Sequence, residues 1–236
     1  MDHRANLPAY AAAFVLAVGA AALSEPVWAT GRQPTVVELF TSQGCSSCPP
    51  ANANLAALSD RPGVLALSFN VTYWDQLGWK DTFAKPEFTA RQVGYEPRLD
   101  HDGPFTPQIV VDGHADTIGN RLGAIETLIA ASRQGNRPTA RLGEKDILIG
   151  AGAAPAGGAD IWLVTYDPRL VDVPVGRGEN AGRTLPHKNV VHSLERIGSW
   201  RGAEVDLPAP AAPSGLRRAV LVQTADGGPI LAAATD

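Results

Sequence analysis

Thr35 to Thr41 (Thr-Val-Val-Glu-Leu-Phe-Thr) is an apolar, β-branched run interrupted by one charge, Glu38, and it reads as a buried strand. Ala51, Leu55 and Leu58 then recur at helical spacing, with Pro49 and Pro50 in the first turn, where a missing N–H costs least. The helical pattern stops at the turn cluster Asp60-Arg61-Pro62-Gly63. Val64 to Val71 is almost continuously apolar, as expected of a central parallel strand covered on both faces. The three segments make a β-α-β unit, whose crossover is expected to be right-handed. Pro86 to Tyr95 has a helical pattern with Pro86 near its first position. Gln108 to Val111 and Ala115 to Ile118 are short strands joined by Asp112-Gly113, a hairpin turn signal. Asn120 stands where it would cap a helix with Leu122, Ile125, Leu128 and Ile129 on its apolar face, ending near Gly135.

The texture changes after Gln134-Gly135-Asn136-Arg137-Pro138, which looks like a boundary. Short β-rich runs (Ile147 to Ile149, Ile161 to Tyr166, Val171 to Val175, Val190 to Leu194, Ala219 to Thr224) alternate with Gly/Pro-rich turns. That pattern suggests a small antiparallel sandwich or sheet. The expected organisation is an α/β domain over residues 34–135 and an all-β, sandwich-like domain over residues 139–236. Gly176 to Thr184 is a glycine-rich polar loop without the Gly-Lys-Ser/Thr ending or strand-to-helix setting of a phosphate loop.

The first stretch changes the compartment. His3 and Arg4 precede an Ala/Val/Leu run from Leu7 to Leu23, and Val27-Trp28-Ala29 fits a small-x-small cleavage site. Residues 1–29 therefore read as a signal peptide, with an uncleaved membrane anchor as the alternative. The mature chain is expected to be periplasmic or secreted, with no stable membrane span after cleavage. The 236 residues carry 44% hydrophobic and 19% charged side chains, enough for a substantial core. A formal net charge of −4, with no basic stripe, argues against nucleic acid as a partner.

The chemistry concentrates in Cys45-Ser46-Ser47-Cys48, which holds both cysteines of the chain at the predicted strand-to-helix junction. That spacing in that setting reads as a thioredoxin-like redox pair. A helix N-terminus offers unpaired N–H groups and the positive end of a dipole, which stabilise a thiolate. In comparable pairs the first thiol's pKa falls to between about 3.5 and 7.5. Cys45 is thus the candidate nucleophile and Cys48 the resolving thiol. Export makes a purely structural disulfide the alternative, but closing so small a loop stabilises little by the chain-entropy account. The redox assignment also requires a route to the sulfurs for a visiting peptide.

Further candidates surround the pair. Pro107, before a later strand, matches the cis-proline that thioredoxin-like folds set beside their reactive thiols, and the backbone of Thr106 would pair with an extended substrate. Glu38, a charge in a strand that otherwise reads buried, is a candidate proton acceptor for Cys48. Trp74, Asp75, Trp79 and Asp81 lie in an aromatic, acidic loop that is a candidate border of a substrate groove. His101 is a candidate third ligand for a copper or zinc ion on the two thiols. No cofactor is expected for thiol–disulfide exchange itself.

Glu38 through Pro50 resembles the signature of a bacterial family called domain of unknown function 1223, and the resemblance continues through Tyr73-Trp74-Asp75, Gly78-Trp79, Thr106-Pro107-Gln108, Gly178-Glu179-Asn180 and Asn189-Val190-Val191. It implies a secreted or periplasmic protein with a thioredoxin-like fold and a β-rich C-terminal extension, without a settled activity. Gly178-Glu179-Asn180 suggests a brace between the two parts, with the Glu179 carboxylate accepting backbone N–H groups.

The leading expectation is an exported thiol–disulfide oxidoreductase acting on protein or peptide disulfides, served by a redox partner whose identity the sequence does not carry. The alternatives are a thioredoxin-like binding module stiffened by a structural disulfide, and a copper chaperone.

Overall fold

The computed structural model describes Met1, residues 33–132 and residues 137–236. The expected signal segment, Met1 apart, lies outside the described residues, as do residues 134–136 of the expected boundary. The chain from Arg32 to Asp236 clusters as one compact unit. Among the described residues no helix is long and apolar enough to cross a membrane.

The elements run β1 (Thr35–Thr41), α1 (Pro49–Ser59), β2 (Val64–Asn70), α2 (Pro86–Leu99), β3 (Gln108–Val111), β4 (Ala115–Ile118), α3 (Leu122–Ala131), β5 (Ala140–Leu142), β6 (Asp146–Ile149), β7 (Ala159–Asp167), β8 (Val171–Pro174), β9 (Thr184–His187), β10 (Val190–Trp200), β11 (Val205–Pro208), β12 (Arg217–Thr224) and β13 (Ile230–Thr235). The protein is mixed α/β, with few helices and one large sheet. Eight strands lie in the order β13-β12-β7-β10-β2-β1-β3-β4. β1 pairs in parallel with β2, as a β-α-β unit requires, and antiparallel with β3.

Strand alternation divides the first half of this sheet into two faces. Val37 and Leu39 point to α1 and α3, where they pack with Ala51, Leu55, Ile109 and Ile125. Val36 and Phe40 point the other way, into a core with Phe69, Phe88 and Tyr95. Because side chains alternate along a strand, Glu38 belongs to this second face.

The change of texture near residue 138 does not divide the sheet. β7, β10, β12 and β13 continue it past β2, where the expected sandwich would have stood apart. The join is made by Asn189, whose backbone takes the left-handed conformation at φ 51°. Asn tolerates that region better than most residues. Its carbonyl accepts from the Ser68 amide at 2.9 Å, and its side chain donates to the Ala66 carbonyl at 2.7 Å. The smaller sheet, β11-β6-β5, packs on the large one through Ile147, Ile149, Ile161, Leu163, Trp200 and Val222. The hairpin β8-β9 forms its own two-stranded ribbon.

Two boundaries differ from expectation. α2 runs on through Pro97 to Leu99 and ends at Asp100 in the left-handed conformation. The residue preceding α3 is Arg121, and it makes no side-chain capping bond, so Asn120 is not the cap.

Candidate functional site

The chain leaves β1 at Thr41 and turns tightly before α1. The Cys45 amide donates to the Ser42 carbonyl and the Cys48 amide to the Cys45 carbonyl, each at 3.2 Å. Cys48 is the residue preceding the helix, with Pro49 and Pro50 in the first turn. The two cysteines are joined as a disulfide with their Cα atoms 5.4 Å apart. Ser47 Oγ lies 3.3 Å from Cys45 Sγ.

Four of the expected border residues gather on this loop. Trp79 Nε1 donates to Gln43 Oε1 at 2.9 Å. Trp74 packs against Gly44, where an added Cβ would stand 3.3 Å from the Trp74 Cβ. The same indole donates to Thr106 Oγ1 at 2.8 Å. Asp75 accepts from the Asp81 amide at 3.1 Å, and Asp81 accepts from the Gln43 amide at 2.7 Å. Burial pushes the Asp81 carboxyl above its ordinary value, against bonds from Asn70, Gln43 and Phe83 that pull it down. The Thr106–Pro107 peptide is cis. The Pro107 carbonyl accepts from the Gly119 amide at 2.8 Å, and a Cβ on Gly119 would stand 3.2 Å from Pro107 and 2.9 Å from Ala51 in the first turn of α1.

Glu38 is not part of this group, which corrects its expected role. Its carboxylate faces away from α1 and receives Arg91 Nε at 2.7 Å. The Tyr95 hydroxyl donates to the same carboxylate, and Arg91 Nη1 donates to Gln223 at 3.1 Å. The Glu38 oxygens are thus taken up by Arg91 and Tyr95 on the face of the sheet opposite the sulfurs. A cavity of about 370 Å³ opens over this cluster, bordered by Arg91, Tyr95, Trp162 and Gln223. Neither cysteine borders it.

His101 is also elsewhere. Its Nε2 lies 2.8 Å from Asp116, which accepts a second bond from Gln108. Among the described residues no three His, Cys, Asp or Glu side chains converge as a metal site would require.

Both cysteines are completely buried, although Ser46 and Ser47 between them are exposed. The route expected for a visiting peptide is therefore closed in this arrangement. The loop between β8 and β9 lies over the cysteine loop. Asn180 Nδ2 donates to the carbonyls of Gln43 and Cys45, each at 2.9 Å. The exposed Glu179 carboxylate accepts from the Ser46 amide at 3.0 Å. The Ser46 hydroxyl and amide hold the Glu179 carboxyl below its ordinary value.

Sequence reasoning singled out Gly178-Glu179-Asn180 as a brace without placing it on the cysteine loop, and it missed the parts played by Gln43, Asn52 and His187 in this neighbourhood. Asn52 Oδ1 accepts from Thr41 at 2.9 Å, and its amide nitrogen lies 3.5 Å from His187 Nδ1. His187 is buried with Nε2 unpartnered, and burial pushes its pKa down to about 4. The Gly-Glu-Asn triplet was a visible signal for Asn180; nothing local marked His187.

The site is a Cys-x-x-Cys disulfide standing before the first helix of a mixed α/β protein. The profile described as "Protein of unknown function (DUF1223)" matches residues 36–223, and the chain belongs to that family. Protein AGR_C_4864 of Agrobacterium tumefaciens, a structural genomics crystal structure, is similar at 32% identity and TM-score 0.73, over 85% of this chain and 92% of that one. HBP35 of Porphyromonas gingivalis is similar in fold, at 12% identity and TM-score 0.57, over 87% of this chain and 75% of that one. No curated protein matches.

Proposed function

We propose that the protein is an exported thiol–disulfide oxidoreductase with a thioredoxin-like N-terminal half, acting on protein or peptide disulfides. The observation that carries this reading is the Cys45–Cys48 disulfide at the start of α1, with Trp74 linking its loop to the residue before the cis Pro107. In the reduced protein Cys45 attacks one sulfur of a substrate disulfide. The substrate S–S bond breaks, one substrate thiolate leaves, and a mixed disulfide forms on Cys45. Cys48 then attacks Cys45, releases the second thiolate and closes the internal bridge. Two electrons pass to the substrate, which takes up two protons as its thiols form. Return to the reduced form requires a dithiol donor, and the same steps reversed oxidise a dithiol.

Complete burial of both sulfurs favours a second reading, in which the bridge is structural and the protein is a binding module. Equilibration in glutathione buffers separates the two. A reduction potential above about −300 mV supports exchange, and one well below it supports a structural bridge.

A further inference from the structure

We propose that the tip of the β8-β9 hairpin, residues 176–183, is a hinged cover that keeps the Cys45–Cys48 bridge from attack until it lifts; this rests on the redox reading of the pair. Three features support it. The tip touches the cysteine loop through two side chains, Asn180 on the Gln43 and Cys45 carbonyls and Glu179 on the Ser46 amide. Asn180 is fully buried while its neighbours in the loop, residues 176–179 and 181–184, are exposed. An amide buried from a surface loop is a plug, and its remaining acceptor is filled from the loop itself by Arg183 Nη1 at 2.7 Å.

The loop is also built to move as a piece. Internal backbone bonds from Gly182 to the Val175 carbonyl, Ala181 to Gly178 and Arg183 to Asn180 hold its shape at 2.8–3.1 Å. Gly178 and Gly182 take positive φ values of 75° and 76°, which glycine adopts without strain. The hairpin stands outside the large sheet, so lifting its tip breaks none of that sheet's ladder. Gly178 rests on Trp79, where an added Cβ would stand 3.3 Å from the Trp79 Cβ.

The cover has an electrostatic consequence as well. The Ser46 amide, next in the chain to Cys45, is occupied by the negatively charged Glu179 carboxylate. A neighbouring anion disfavours a second one. In the lifted state the tip leaves the backbone on either side of Cys45 and takes that charge with it.

The test is the rate at which dithiothreitol reduces the bridge in the wild-type chain, Asn180→Ala and Glu179→Gln, read by thiol release with the fold checked by circular dichroism. Losing two hydrogen bonds from the closed state is expected to speed reduction of Asn180→Ala by about tenfold or more. Glu179→Gln keeps the exposed side chain's size, so it remains informative if Asn180→Ala fails to fold. It is expected to speed reduction severalfold and to lower the Cys45 thiol pKa followed by thiolate absorbance. Rates unchanged in both folded variants, or in Glu179→Gln with its thiol pKa unmoved, overturn the cover. The reduction potential in glutathione buffers, measured on the same proteins, reports separately on the redox reading. A working potential with unchanged rates sinks the cover alone.

Discussion

Glu38 and Arg91 meet through a 2.7 Å hydrogen bond on the face of the sheet opposite α1, with 0% and 5% of their side chains exposed. The pair is structural. Replacing Glu38 with Gln leaves a buried guanidinium without its counter-charge, which typically costs about 3–5 kcal/mol. Urea unfolding is expected to show a loss of that order. The reduction potential of the cysteine pair is expected to stay where it was, because the carboxylate does not face the sulfurs. A potential that moves with Glu38 would return it to the chemistry.

Trp74 joins the cysteine loop to the residue preceding Pro107. Trp74→Phe keeps the Cβ against Gly44 and an aromatic ring beyond it, and removes the Nε1–H that Thr106 accepts. The expected stability loss is about 1 kcal/mol. If Thr106 aligns an extended substrate, kcat/KM for a peptide disulfide falls while reduction by dithiothreitol is unaffected. Equal falls in both would mean that the substitution disturbs the bridge itself.

His187 makes stability depend on pH. Burial lowers its folded pKa from the ordinary 6.5 to about 4, so the unfolded chain binds the proton more readily between those values. The stability this provides is full above about pH 6.5 and is lost as the pH falls through 4. At about 1.4 kcal/mol per unit, the largest effect is about 3 kcal/mol. Urea midpoints measured across that range should fall with acidity, and His187→Gln should flatten the slope.

The bridge itself should matter little to folding. Its cysteines are three residues apart in sequence, and the chain-entropy account gives a loop of that size about 2 kcal/mol. Cys45→Ser/Cys48→Ser is therefore expected to remain folded, with a urea midpoint lowered by a corresponding amount. Global unfolding of the double variant would point to a structural bridge.

The parts of the fold legible in the sequence are those whose signals are local. β1 and β2 stood out because strands covered on both faces are apolar throughout, and the cysteines because their spacing is a motif. Trp74, Asp75 and Trp79 stood out because aromatics and acids crowd one short loop. What escaped depends on pairings between distant segments. A one-residue alternation decides which face Glu38 takes, and only packing against α1 or α2 fixes it. Asn189 is unremarkable in composition, yet it carries the large sheet from β2 to β10. Asn180 reaches the Cys45 carbonyl across 135 residues. The strands from β7 onward read as a separate sandwich because their alternation with turns says nothing of which edge they extend.

The most direct measurement is the equilibrium between Cys45–Cys48 and its dithiol in glutathione buffers of known ratio, followed by quantifying free thiols. An exchanging pair is expected to settle above about −300 mV, within reach of an exported thiol pool. A bridge that stays closed well below that value in the wild-type chain, after the buffer has been given time to equilibrate, would contradict thiol–disulfide exchange as the function.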